Sequence, residues 1–299
     1  MQAIVLGSAA GGGVPQWNCR CPVCRLAWSG DPRVRSRTQS SLAVSADGEG
    51  WLVLNASPDI RMQIAQTTDL HPRAGSRHSP IQAVLLTSAE IDHVAGLLTL
   101  RERQTFALFA TRKTLDTLAL NPIFDALAPE LVVRRPVRLG QPFEPVPGLS
   151  ATVFAVPGKT PLWRESPDQA DEDDPDATIG VILEAAGKRI AFVPGCARVD
   201  RDVLARIAGV DALFFDGTVL HDDDLVRAGV SDKTGRRMGH SPMLGEDGSI
   251  AGLAAIQVPQ RIFVHINNTN PVLVEGSDER RLVERSGWIV AHDGLRILP

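Results

Sequence analysis

The stretch Ala83-Val84-Leu85-Leu86-Thr87-Ser88-Ala89-Glu90-Ile91-Asp92-His93-Val94-Ala95-Gly96 constrains the fold more than any other. Ala83 to Leu86 is a short apolar run that predicts a buried strand, and Val94 to Leu100 predicts the start of a helix. Metal-capable side chains lie between them, at the carboxyl end of a strand, where open α/β sheets build their sites. Asp92 and His93 are adjacent, so a tight turn aims both at one point, and Glu90 stands two residues earlier. A plain helix N-terminus, with Ser88 as cap and Glu90 favoured by the helix dipole, accounts for part of the pattern. It leaves Asp92-His93, followed by the small residues Ala95 and Gly96, without a reason.

Composition narrows the function classes. A chain of 299 residues with 43% hydrophobic content buries a large core. A net charge of −4 gives no electrostatic footprint for nucleic acid. No apolar run approaches the roughly 20 residues that span a bilayer, so no membrane partner is expected. Met1 to Leu6 breaks at Gly7 without a basic leader, and the expected location is the cytoplasm.

Three of the four cysteines fall in Cys19-Arg20-Cys21-Pro22-Val23-Cys24. The C-x-C-x-x-C spacing brings three thiolates to one tetrahedral ion, with Pro22 stiffening the knuckle, and predicts a structural zinc. Three thiols packed without a ligand is the competing account. Gly7 to Gly13 is too glycine-rich for a helix and lacks a phosphate-binding signature, so close backbone approach beside a pocket is expected there.

Asp47-Gly48 predicts a hairpin between Ser40–Ser45 and Gly50–Asn55, and Asp59 is expected to cap a helix beginning at Ile60. Arg134, Arg135 and Arg138 form a basic group, expected on a solvated face, with carboxylate binding as the alternative. Ser166 to Asp176 is an acidic run expected to be a loop near the pocket mouth. Cys196 is expected to be a small buried hydrophobe. Ala212 to Phe215 predicts a buried strand that presents Asp216, and a carboxylate there needs a cation or donors facing it. His71, His78, His221 and His292 lie in polar connections and carry no expected role.

The strand followed by Thr87 and S-x-E-x-D-H resembles the metallo-β-lactamase motif H-x-H-x-D-H. Ser88 and Glu90 stand in the two histidine positions, and Gly158-Lys159 stands where the third-motif histidine is usual. The glycine-rich turn and cysteine cluster resemble the phosphodiesterase branch, in which a C-terminal histidine completes a structural zinc. Here Asn268 holds that position, and Asn268 or water is the expected fourth ligand. Together, C-R-C-P-V-C, S-A-E-I-D-H, F-F-D-G-T, M-G-H-S-P and H-I-N-N-T-N-P resemble the pyrroloquinoline quinone biosynthesis protein B family.

That resemblance implies an α/β (α+β) chain, an αββα sandwich of the metallo-β-lactamase fold, as one domain over residues 1–299 with the knuckle at 19–24. It implies an iron- and dioxygen-dependent hydroxylase acting on the tyrosine of a Glu-Tyr unit, working alongside other proteins of the same biosynthesis. The implied active-site iron ligands are Asp92, His93 and His265. This is the ligand set of facial-triad Fe(II) oxygenases, and Glu90 or Asp216 is available as a further carboxylate. His240 is the implied acid/base or substrate contact, and Asp216 a ligand or its support. A metal-dependent hydrolase and a carrier of the finished quinone are the rival classes.

Overall fold

A computed structural model describes residues 1–159, 163 and 174–299. Most of the acidic run, Ser166 to Asp173, therefore lies outside the described residues. One sheet contains β1 (Gln2–Gly7), β2 (Ser41–Ser45), β3 (Trp51–Leu54), β4 (Ile81–Leu85), β5 (Phe106–Thr111) and β6 (Val132–Val137). The other contains β7 (Phe143–Val146), β8 (Leu149–Ala155), β9 (Ile179–Ala185), β10 (Lys188–Val193), β11 (Ala212–Asp216), β12 (Gln260–Val264) and β13 (Trp288–Val290). A short β14 (Arg296–Ile297) returns to pair with β1, so the strand orders are 14-1-2-3-4-5-6 and 13-12-11-10-9-8-7.

The continuous apolar runs are explained by burial on both faces. In β4, Ala83 and Leu85 point between the sheets, while Val84 packs outward with Ile60, Leu115 and Leu118. Those outer residues come from two helices, α2 (Ile60–Gln66) and α4 (Arg112–Ala119). In β11, Ala212 and Phe214 face the sandwich core, and Leu213 and Phe215 face outward. Over them lie α5 (Arg201–Ile207), through Val203 and Ile207, and α8 (Asp278–Arg285), through Val283. Helix, sheet, sheet, helix is the expected αββα sandwich. β3 to β6 pair in parallel, as do β10 to β13, so the ends of β4, β11 and β12 deliver their loops to one site.

The hairpin forms as predicted: Gly48 takes φ +86, and Asp47 Oδ1 accepts the Glu49 N–H at 2.8 Å. Asp59 does not behave as expected. It occupies the N-cap position of α2 without a side-chain cap bond, because its Oδ2 accepts the Gln39 backbone N–H at 2.9 Å and the Gln39 amide at 3.0 Å. The arginine group stays on its edge strand: Arg134 donates to the Phe124 carbonyl at 2.8 Å, and Arg135 lies 5.8 Å over the Phe109 ring. None of these arginines lines the central pocket. No helix among the described residues is long and apolar enough to cross a membrane.

Candidate metal centre

After β4 the chain turns through Thr87 to Glu90 into a single helical turn, α3 (Ile91–Val94). The turn is stapled to the segment after β3. The Ala56 N–H donates to the His93 carbonyl at 2.8 Å, and the Gly96 N–H to the Ala56 carbonyl at 2.9 Å. A Cβ at Gly96 would fall 2.0 Å from the Ser57 carbonyl oxygen, so the small residue after Asp92-His93 is required by backbone approach. Ser88 is not the helix cap. Glu90 takes that position, and Ser88 Oγ lies 2.8 Å from His93 Nδ1.

This placement aims three groups at one point. His265 follows β12 in a left-handed conformation, φ +56, which swings its ring back over the sheet end. Its Nε2 stands 3.1 Å from Asp92 Oδ2, and His93 Nε2 is 4.0 Å from the same oxygen. Candidate ligand atoms of Asp92, His93 and His265 all lie within 4.8 Å of one another. Two ligands set at right angles on an ion, each about 2.1 Å from it, would stand ~3 Å apart, close to the Asp92–His265 separation.

The residues fit a metal ion by two observations. His93 Nε2 is buried with no hydrogen-bond partner, while Nδ1 is held by Ser88, so the unpaired nitrogen faces the cluster. Gly11, from the glycine-rich turn, leaves open the space where a Cβ would stand 3.6 Å from Asp92 Oδ2. Burial pushes His93 down to about 4, favouring its neutral, ligating form. Burial also opposes charge on Asp92, but His93 and His265 outweigh it and hold the carboxyl below the usual range. For His265, burial is outweighed by the hydrogen bond to Asp92, and the imidazole is raised.

Asp216 and His240 also come to this end of the fold, at different depths. Asp216 is fully buried behind the pocket wall. Its Oδ1 accepts the Thr218 N–H at 3.0 Å and hydroxyl at 2.7 Å. Its Oδ2 accepts the Cys196 N–H at 2.9 Å and His240 Nδ1–H at 2.7 Å. The donors demanded by a carboxylate after an apolar strand are therefore present, and with two on each oxygen its acceptor sites are filled. This geometry makes Asp216 the partner that orients His240; candidate ligand atoms of Asp216, His240 and His265 also lie within 4.8 Å of one another, so His265 is shared between two groups. His240, carried by the loop after Gly239, stacks on His265 with ring centroids 5.1 Å apart.

The pocket over this cluster has a volume of about 200 Å³, and its lining includes Thr87, Glu90, Lys159, Thr178, His240 and Asn267. Gly158-Lys159 is thus at the site, with a lysine where the motif would have an imidazole. Glu90 lines the pocket but is not among the three residues grouped around Asp92. His71, His78, His221 and His292 are half-buried and line no part of it. Cys196 is buried, as expected, and its Sγ donates to the Arg198 carbonyl at 3.0 Å. Sequence reasoning missed Thr218 and Thr87, which contact the histidines only through the fold.

The second centre is the knuckle. Cys19, Cys21 and Cys24 are buried, and their sulfurs lie within 4.8 Å of one another with no disulfide. Backbone N–H groups of Cys21 and Cys24 donate to Cys19 Sγ and Cys21 Sγ, each at 3.4 Å. The Asn268 amide closes the open side, with Nδ2 3.1 Å from Cys19 Sγ and 3.3 Å from Cys24 Sγ. A half-turn of the amide puts Oδ1 in the same place, so the trio and Asn268 suit a tetrahedral ion. Burial pushes the Cys21 thiol up to about 12, so ionising these sulfurs calls for a cation among them.

A family model described as "Beta-lactamase superfamily domain" matches residues 50–266. Coenzyme PQQ synthesis protein B of Methylobacterium sp. (strain 4-46) is 64% identical over 297 residues, 99% of each chain. The chain belongs to the coenzyme PQQ synthesis protein B family. A more distant member, from Xanthomonas oryzae pv. oryzae, is 52% identical over 298 residues, again 99% of each chain. The crystal structure of Zn(2+)-bound PqqB from Methylobacterium extorquens matches with TM-score 0.97 and 61% identity over 100% of both chains. A diphosphatase of the PhnP family, at TM-score 0.70 and 20% identity over 100% of this chain and 97% of that one, shares the fold.

Proposed function

We propose that this chain acts in pyrroloquinoline quinone biosynthesis as an Fe(II)- and dioxygen-dependent hydroxylase of the tyrosine ring in a Glu-Tyr-derived peptide. The observation that carries the proposal is the ligand set: Asp92, His93 and His265 converge, while the neighbouring positions offer Ser88, Glu90 and Lys159. Two histidines and one carboxylate suit iron with open positions, whereas a dinuclear zinc hydrolase needs further imidazoles. When bound, the iron supplies activation of dioxygen beside the ring. The relatives named for coenzyme PQQ synthesis support the pathway, and the zinc-bound relative supports a protein that holds metal.

The chain's own residues do the rest. His240 Nδ1–H is committed to Asp216, which leaves Nε2 to exchange a proton with a phenol or its product. Lys159 offers its ammonium to a substrate carboxylate, a group any Glu-Tyr peptide carries. The knuckle does no chemistry and ties the N-terminal loop to the strand ends.

Anaerobic loading with Fe(II) or with Zn(II), followed by oxygen consumption with tyrosine-containing dipeptides, tests the proposal. Oxygen uptake is expected with iron alone. Full turnover with zinc and no dioxygen would sink the oxygenase and favour a hydrolase. Quinone binding that persists after Asp92 or His93 is replaced would favour a carrier. His240→Ala is expected to lower turnover ~10²–10⁴-fold while metal content stays at the wild-type level. Unchanged turnover would remove His240 from the chemistry.

A further inference from the structure

Thr218 is an almost completely buried hydroxyl at which the two histidine systems meet. Its Oγ1 lies 2.7 Å from Asp216 Oδ1, 2.9 Å from His265 Nδ1, 3.1 Å from His240 Nδ1 and 3.0 Å from the His265 carbonyl. A hydroxyl has one proton to give and two lone pairs to receive with. Asp216 only accepts: its two oxygens receive the Cys196 and Thr218 N–H groups, the Thr218 hydroxyl and His240 Nδ1–H. The single Thr218 proton therefore goes to Asp216 at the shortest of these contacts. Thr218 Oγ1 is left as an acceptor, and His265 Nδ1 must be the N–H that fills it. His240 Nδ1–H already has Asp216 Oδ2 at 2.7 Å and uses Thr218 only as a second, longer partner.

We propose that Thr218 is a positioning residue that sets the tautomer of the metal-facing His265. With one proton fixed on Nδ1, Nε2 is the nitrogen that faces the cluster: without an ion it donates to Asp92 Oδ2 at 3.1 Å, and that is the proton a metal would displace. Ser88 stands in the same relation to His93, 2.8 Å from its Nδ1 with the Thr87 hydroxyl farther off at 3.4 Å, so each ligand histidine is backed by a hydroxyl. The Thr218 hydroxyl is the more demanding of the two because it also serves the Asp216–His240 pair. One oxygen thereby keeps the ligand ring and the acid/base ring in register, with their planes 24° apart. The proposal rests on Asp92, His93 and His265 binding a metal. It does not depend on which metal, or on hydroxylation.

Thr218→Val keeps the shape of the side chain and removes the hydroxyl, and Thr218→Ser keeps the hydroxyl and removes the methyl. Zn(II) affinity is measured in full-length protein whose cysteine site is already filled, and the His265 ring nitrogens are read by NMR in the zinc-loaded state. Outer-shell partners of metal histidines are worth ~10–100-fold in affinity, and Thr218→Val should lose that much while Thr218→Ser recovers most of it. The NMR signal of a hydrogen-bonded Nδ1–H on His265 should be present in wild type and Thr218→Ser, and lost or shifted in Thr218→Val. Unchanged affinity in Thr218→Val would overturn the proposal. A loss that serine fails to restore would also overturn it, because the methyl and not the hydroxyl would then be responsible. A wild-type chain that takes up no metal beyond the cysteine site would overturn the metal-centre reading itself. That outcome is distinct from the other two.

Discussion

Asp92→Ala and His93→Ala should each remove the metal ion expected in the pocket, leaving the one expected at the cysteines, and abolish the proposed hydroxylation with it. The two centres are built from separate ligands, so the cysteine site should keep its ion while the pocket loses its own. The expected loss of affinity at the pocket exceeds the ~10–100-fold that an outer partner costs, because a donor atom is removed outright. Folding should survive. Asp92 sits at the pocket side of a turn already stapled by the Ala56–His93 and Ala56–Gly96 backbone bonds, which neither substitution removes. His93→Ala also removes a buried imidazole whose Nε2 has no protein partner, and the vacated space opens into the pocket. Metal counting by mass spectrometry beside a thermal melt separates the two effects. A variant that keeps both ions and full turnover would exclude Asp92-His93 as ligands.

Much of this centre was legible from local sequence because its parts sit at strand ends. The apolar runs before Thr87, Asp216 and His265 are continuous because β4, β11 and β12 are covered on both faces, which marks them as central strands. The residue after such a run is then at the edge of the sheet, where site groups gather: His265 faces the cluster itself, while Thr87 and Asp216 contact its histidines. The cysteine cluster was legible for a different reason: its spacing is a geometric statement in itself. What escaped was second-layer chemistry. Thr218 meets His265 across 47 positions, and Ser88 turns from the expected cap to His93 because the helix starts two residues later. Asp59 failed as a cap because Gln39, twenty positions earlier, offers it two donors. A serine, threonine or aspartate has the same local signature in each role, and only the fold decides which donor is nearest.

Replacing Cys19, Cys21 and Cys24 together by serine should abolish soluble folding. Serine hydroxyls bind zinc poorly, so the ion is lost, and three polar groups are left buried where the sulfurs stood. Zinc held by such a knuckle contributes ~10–16 kcal/mol in small peptides, as large as the entire net stability of a typical domain, ~5–15 kcal/mol. Loss at this site reaches past the knuckle. The N-terminal arm pairs with the segment after β12 that carries His265: Ala10 N–H donates to the Ile266 carbonyl at 2.9 Å, and Ile266 N–H to the Ser8 carbonyl at 3.0 Å. The arm has a second anchor in buried Arg37, which donates to the Ser8 hydroxyl and the Ala291 carbonyl, and in Asp293, which accepts from Ser8 and Thr38. Burial raises the Asp293 carboxyl, so that anchor is itself polar and costly to expose to rearrangement. With the knuckle gone, this second anchor and the backbone bonds to Thr38, Arg37 and Ile266 must hold Gly11 beside Asp92, against the buried groups released at Asn268. Soluble yield, far-UV circular dichroism and zinc content of the triple variant provide the measurement. A monodisperse, zinc-free variant with normal turnover would show that the three thiols are packing residues after all, and that Asn268 closes nothing.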